Sequence, residues 1–230
     1  MVEESGIVQL PDHDKGNLAP FVYEKIIFSH THFNSTRSIE EISDLRSREL
    51  ELLTNGSSFS CTIIAIYFSK DPATALYLTE MLDLAFKLGA VLENELSDAF
   101  YLSFRPPFFN SQDHSIQHAL NCAMQLLGAY NDKIPQLKLG MHYGELAYRI
   151  LPEMSDSYNL VGNAIAAIIL MLGNVSEGRI AFSADSKIAE YYSSKLISVH
   201  GNWSNSIVDI SKKGYNFYKH LSTIYPTKPH

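Results

Sequence analysis

Between Leu137 and Asp185 the chain reads LKLGMHYGEL, then SYNLVGNAIAAIILML, then GRIAFSAD. The first segment predicts a strand ending in His-x-Gly-Glu. The second predicts a strand ending in Val-Gly-Asn that passes directly into a helix, and the third a further strand. Three strands and one helix in such close succession commit this part of the chain to a mixed sheet-and-helix architecture.

The 230 residues are 46% hydrophobic and 19% charged, which suits one large domain, or a medium one with an extension, around a sizeable core. A formal charge of -7, a pI near 5.7 and the lack of a basic cluster argue against nucleic acid as a partner. Cys61 and Cys122 sit inside the apolar runs SCTIIAIYF and HALNCAMQLL and read as buried, reduced thiols. No apolar run approaches the ~20 residues that span a bilayer. The acidic start, MVEESGIVQLPDHDKG, does not resemble a secretory signal. The expectation is a cytoplasmic protein with no membrane partner.

Residues 1–20 carry Pro11, Gly16 and Pro20 without apolar periodicity and read as a flexible arm. Residues 21–60 form a strand-helix extension. FVYEKIIFSH is its strand, and Ser38 with Glu41 three residues later is the capping-box spacing that opens a helix, stopped at Asn55-Gly56. The main domain takes residues 61–222. CTIIAIYF is a strand buried on both faces, and Asp71-Pro72 starts a helix that runs to Gly89. AVLENELSDAFYLSF predicts a hairpin turning at Leu96-Ser97-Asp98. Pro106-Pro107 breaks the chain before the amphipathic helix HSIQHALNCAMQLLGAY. After the three segments above, SKIAEYY predicts a short helix and SKLISVHG with NSIVDI a last strand pair. Residues 223–230 read as a tail. The middle of this order, β-α-β-β-α-β, is a ferredoxin-like α+β core: a mostly antiparallel sheet with helices packed on one side. That architecture serves many functions, so the site has to decide between them.

His142-Tyr143-Gly144-Glu145 and the run from Tyr158 to Asn163 are joined by weaker matches at Leu96-Ser97-Asp98-Ala99 and His118-Ala119-Leu120. In that order they resemble the catalytic homology domain of class III nucleotidyl cyclases, the adenylate/guanylate cyclase family. The resemblance covers roughly residues 61–209. It implies two aspartates holding two divalent metals while a ribose 3′-hydroxyl attacks the α-phosphorus. The first aspartate position falls on Tyr67 or a neighbour, and a neutral phenol is a poor ligand for a hard cation. The second falls on Asp98, with Ser97 in place of a glycine. The separation, 98 − 67 = 31 residues, is shorter than in active members. Phe68 to Pro72 stands where their phosphate loop would be.

The family's transition-state asparagine and arginine correspond to Ala166 and Leu170. Its base-facing positions correspond to Asn94 and Asn159. His142 corresponds to a residue that supports the fold. The resemblance therefore implies a catalytically silent domain with no catalytic residue, metal or cofactor. It would act as a regulatory or dimerisation module in cyclic-nucleotide-type signalling, as a homodimer or a heterodimer with another cyclase-like domain. Two alternatives stand beside it: a cyclase subunit completed by a partner chain, and a small-molecule sensor using the vestigial cleft. A separate half-site for a metal, His30-x-His32, has no third ligand near it in sequence.

Overall fold

The computed structural model describes residues 38–54, 58–69, 72–96, 98–150, 158–184, 186–196, 203–209 and 220–226. The expected arm, the strand at 21–30 and the His30-x-His32 pair lie outside them.

The described elements are α1 (Ile39–Thr54), β1 (Ser58–Tyr67), α2 (Pro72–Lys87), β2 (Val91–Leu96), β3 (Ala99–Phe104), α3 (Gln112–Tyr130) and β4 (Lys138–Ile150). There follow β5 (Tyr158–Val161), α4 (Asn163–Leu172), β6 (Ile180–Ser183), α5 (Lys187–Tyr191), β7 (Trp203–Asp209) and β8 (His220–Pro226). One sheet runs in the order β2-β3-β1-β4-β6-β8-β7, with β5 paired to the far end of β4. β4 and β6 run parallel, and the other described pairings are antiparallel. Among the described residues no helix is long and apolar enough to cross a membrane.

β1 explains the layering. Its side chains alternate across the sheet, and both sets are apolar. Ile64 and Ile66 join Phe100, Leu102, Leu139 and Met141 beneath α2, α3 and α5. Cys61, Ile63 and Ala65 join Ala99, Tyr101 and Leu146 beneath α4. Helices therefore cover both faces, which corrects the one-sided packing expected from sequence: a strand with two apolar faces needs two covers. Burial pushes both thiols well above their usual range.

α3 is fixed to the sheet by a polar contact inside this core. Ser115 Oγ lies 2.8 Å from the Thr62 backbone N–H, which it accepts, and 2.6 Å from the Phe104 carbonyl oxygen, to which it donates. The capping box of α1 forms as the spacing predicts. Glu41 N–H donates to Ser38 Oγ at 3.2 Å, and Ser38 N–H to Glu41 Oε2 at 3.0 Å.

Two expectations for the last third change. Tyr192–Leu196 forms a π-helical turn continuing α5, where the strand SKLISVHG was expected to begin. Residues 223–226 belong to β8 and not to a terminal tail. Ile224 is fully buried, and Pro226 falls at the strand's end, where a missing donor is tolerated.

A buried ion cluster ties α1 to the β2–β3 hairpin. Arg105 Nη2 donates to Glu49 Oε1 of α1 at 2.6 Å, and Arg105 Nε to Glu93 Oε1 of β2 at 2.9 Å. Ser103 Oγ donates to the same Glu93 oxygen. All three charged side chains of the cluster are fully buried. The β2–β3 register shifts between Leu92 and Asn94, so Glu93 is the bulged residue. A bulge re-aims a side chain, and here it turns a carboxylate inward to meet the guanidinium.

Candidate functional site

β3, β1 and β4 lie side by side in register. Ala99 pairs with Tyr67, and Tyr67 with Lys138, giving one row across three strands. The next row on the same face is Tyr101, Ala65 and Gly140. Over Gly140 sits the C-terminal half of α4. A Cβ added at Gly140 would come 3.3 Å from both Ile168 and Leu172 side chains, so the small residue lets the helix settle close. Beyond the helix's end the rows open into a cleft of about 330 Å3. Tyr67, Asp98, Tyr101 and Lys138 form its polar side, and Ile169, Leu172 and Gly173 its apolar wall. The hairpin tip is tied to β1 by the Phe68 N–H, which donates to the Asp98 carbonyl oxygen at 3.1 Å.

The register explains the contacts within the cleft. Lys138 Nζ sits 4.7 Å from the centroid of the neighbouring Tyr67 ring, inside cation–π range. Burial, and after it the nearby Asp98 carboxylate, raise the Tyr101 phenol above its usual pKa, so it stays neutral and keeps its proton to donate. Lys138 and Tyr101 did not stand out in the sequence. Their place in the site follows from pairing between distant strands.

Tyr67 and Asp98 are thus brought together. The other positions singled out from sequence are spread around them. Asn94 is exposed on β2 opposite Tyr101 and does not line the cleft. Asn159 pairs with Arg149 in the β4–β5 ladder, and its side chain lies outside the described residues. On α4, Ala164, Ala167, Ile168 and Met171 face the sheet, while Ala166 and Ile169 point outward and Leu170 is half-buried. Ile169 is 54% exposed. The outward face of this helix carries no hydrogen-bond donor side chain at these three positions.

The Val-Gly-Asn turn has a steric cause. At Gly162 φ is 155°, and an added Cβ would lie 2.5 Å from the Glu145 carbonyl oxygen. Only glycine lets β5 hand over to α4 this close to β4. In the His-x-Gly motif, the half-buried His142 ring lies 3.0 Å from where a Gly144 Cβ would be, and burial lowers its pKa. His142 is held in the packing between β4 and α4, not in the cleft.

A pair of divalent metals would not fit this donor set. Among the described residues Asp98 is the single carboxylate lining the cleft, a phenol stands at the other position, and an ammonium occupies the same space. Among the described residues no three His, Cys, Asp or Glu side chains converge as metal ligands do.

The sequence matches no protein-family model and no curated protein. Solved structures do match. The catalytic core of a rhodopsin-guanylyl cyclase with converted specificity, in complex with ATPαS, aligns at TM-score 0.61 and 15% identity, covering 75% of this chain and 99% of that one. A non-canonical dimeric guanylyl cyclase domain of the RhoGC fusion protein from the aquatic fungus Blastocladiella emersonii aligns at TM-score 0.56 and 16% identity, covering 75% and 99%. The adenylyl cyclase CyaB from P. aeruginosa aligns at TM-score 0.56 and 15% identity, covering 75% and 97%. At such identities the likeness is one of fold, and it spans nearly the whole of each relative. The chain therefore has the fold of the class III adenylyl/guanylyl cyclase catalytic domain.

Proposed function

We propose that this chain is a catalytically silent cyclase-fold domain. It works as a regulatory or dimerisation module in cyclic-nucleotide-type signalling, as a homodimer or paired with another cyclase-like domain. The observation that carries this reading is the charge of the cleft. Phosphoryl transfer depends on concentrated positive charge around a triphosphate, supplied by metals and by cationic side chains. Among the described residues lining the cleft one ammonium and one carboxylate cancel, and the positions matched to the asparagine and arginine are Ala166 and Leu170. Loss of one transition-state donor alone costs about 3–4 kcal/mol.

The assembly half of the proposal is supported by α4. Ala166, Ile169 and Leu170 present an apolar stripe one turn apart, next to a cleft, on a fold that one similar structure holds as a dimer. The deciding experiment is a cyclase assay with Mn2+ and either ATP or GTP. No product above the Asp98→Ala control is expected, and clear product would sink the silent reading. Light scattering tests assembly: Ile169→Glu should shift a dimer to monomer. The retained Asp98 favours a second reading, a subunit completed by a partner chain. Activity that appears only on mixing with an intact cyclase domain would decide for it.

A further inference from the structure

Among the described residues the cleft carries two formal charges of opposite sign along its polar side, Lys138 at the start of β4 and Asp98 at the tip of the β2–β3 hairpin. Among the described residues no ion pair joins them. We propose that this cleft is a binding site for a small amphoteric molecule, an α-amino acid with an apolar or aromatic side chain. Its carboxylate meets the Lys138 ammonium, its ammonium meets the Asp98 carboxylate, and its side chain lies against Ile169 and Leu172. The proposal rests on the reading of the cleft as one that no longer performs metal-dependent chemistry.

Three features carry it. Charge comes first: a nucleoside triphosphate brings several negative charges and finds no net positive charge among the described residues here, whereas a zwitterion matches one charge of each sign. Size comes second. At about 330 Å3 the cleft lies at the lower end of the range of ligand pockets, roughly 300–1,000 Å3, which suits an amino acid better than a nucleotide. Pre-organisation comes third. The Tyr67 ring holds the Lys138 ammonium in place, and the Phe68–Asp98 backbone bond holds the hairpin tip, so little ordering remains for the ligand to impose. Tyr101 adds a neutral hydroxyl beside the carboxylate. The apolar wall lowers the local dielectric and strengthens both ionic contacts. Ile169 belongs both to this wall and to the outward stripe of α4, so occupancy of the cleft and assembly through α4 touch the same side chain.

The test is a titration of the full chain in EDTA, by thermal shift and calorimetry. The probes are L-phenylalanine and L-leucine, with phenethylamine and 3-phenylpropionate as analogues that keep one charge each. At least one amino acid should bind saturably, and each one-charge analogue at least tenfold more weakly. Lys138→Met and Asp98→Asn should each weaken amino-acid binding at least tenfold, with far-UV circular dichroism unchanged. No saturable binding of either amino acid would overturn the proposal, as would binding that both substitutions leave intact. A negative titration beside a negative cyclase assay sinks this proposal alone. Product in the cyclase assay, or Mn2+-dependent ATP binding that Asp98→Asn abolishes, sinks the silent reading with it.

Discussion

The two ends of the β2–β3 hairpin treat charge in opposite ways. At the open end Glu93 and Arg105 are fully buried together with Glu49 of α1, and each carboxylate accepts from the guanidinium at 2.6–2.9 Å. At the tip Asp98 is half-exposed beside a cleft, and Lys138 faces a ring instead of an acid. Leaving a buried charge without its partner costs about 3–5 kcal/mol, so the open end is under a structural demand. A half-exposed charge at a cleft is under no such demand. The open end therefore reports on architecture, and the tip on what the cleft now does.

Substitution at the open end should give the largest effect. Arg105→Met would leave Glu49 and Glu93 buried without their shared cation, and breaking a buried pair by removing one partner costs about 3–5 kcal/mol. Urea unfolding followed by circular dichroism measures it. A loss below about 1 kcal/mol would mean that the cluster is hydrated in solution. Glu93→Gln should cost less, about 1–3 kcal/mol, because an amide keeps the shape and some hydrogen bonding to Ser103 and Arg105 while losing the charge. The same assay ranks the two.

At the tip the contrast sharpens. Asp98→Asn and Lys138→Met remove charges that are half-exposed and make no ion pair among the described residues, so Asp98→Asn should change stability by less than about 0.5 kcal/mol and Lys138→Met, which also loses the contact with the Tyr67 ring, by less than about 1 kcal/mol. A loss comparable to that of Arg105→Met would place the tip among the structural charges and erase the distinction. The cation–π contact of Lys138 sets a modest upper bound, about 0.5–1 kcal/mol at exposed sites.

The difference between the two ends also separates what sequence could tell from what it could not. The Ser38–Glu41 capping box, the doubly apolar β1, the hairpin turn at Asp98 and the glycine of Val-Gly-Asn all rest on neighbours in sequence or on a local backbone demand. Each is legible from residue type and spacing. The Arg105–Glu49 pair joins residues 56 apart. It depends on a bulge that puts Glu93 inside, and no alternation pattern in VLENEL announces that bulge. Lys138 enters the cleft because β4 pairs with β1 in a register that sets it beside Tyr67, a consequence of the fold and not of the motif LKLG. The strand expected in SKLISVHG does not begin at Ser194, for a related reason, and its residues 197–201 lie outside the described ones. Its first residues extend α5 through a π turn, and Tyr192 stays buried against Phe182 on the sheet.

The smallest effect tests the same rule on groups between the two extremes. His142 is half-buried and its pKa is lowered by burial. His118 is lowered by burial and then by nearby His114, with a hydrogen bond to the Leu88 backbone opposing both. A histidine whose folded pKa lies below its unfolded value, about 6.5, binds fewer protons when folded. Its contribution to stability is fully present above that unfolded pKa and fades as the pH falls toward the folded one. Melting temperature should therefore drop between pH 7.5 and pH 5. His142→Gln should flatten part of that slope, because the glutamine cannot take up a proton, and His118→Gln a further part. Equal slopes in the wild type and the doubly substituted chain would assign the acid sensitivity to carboxylates instead. The buried Glu49–Arg105–Glu93 cluster, whose two carboxylates accept from one guanidinium, would then be the first candidate among the described residues.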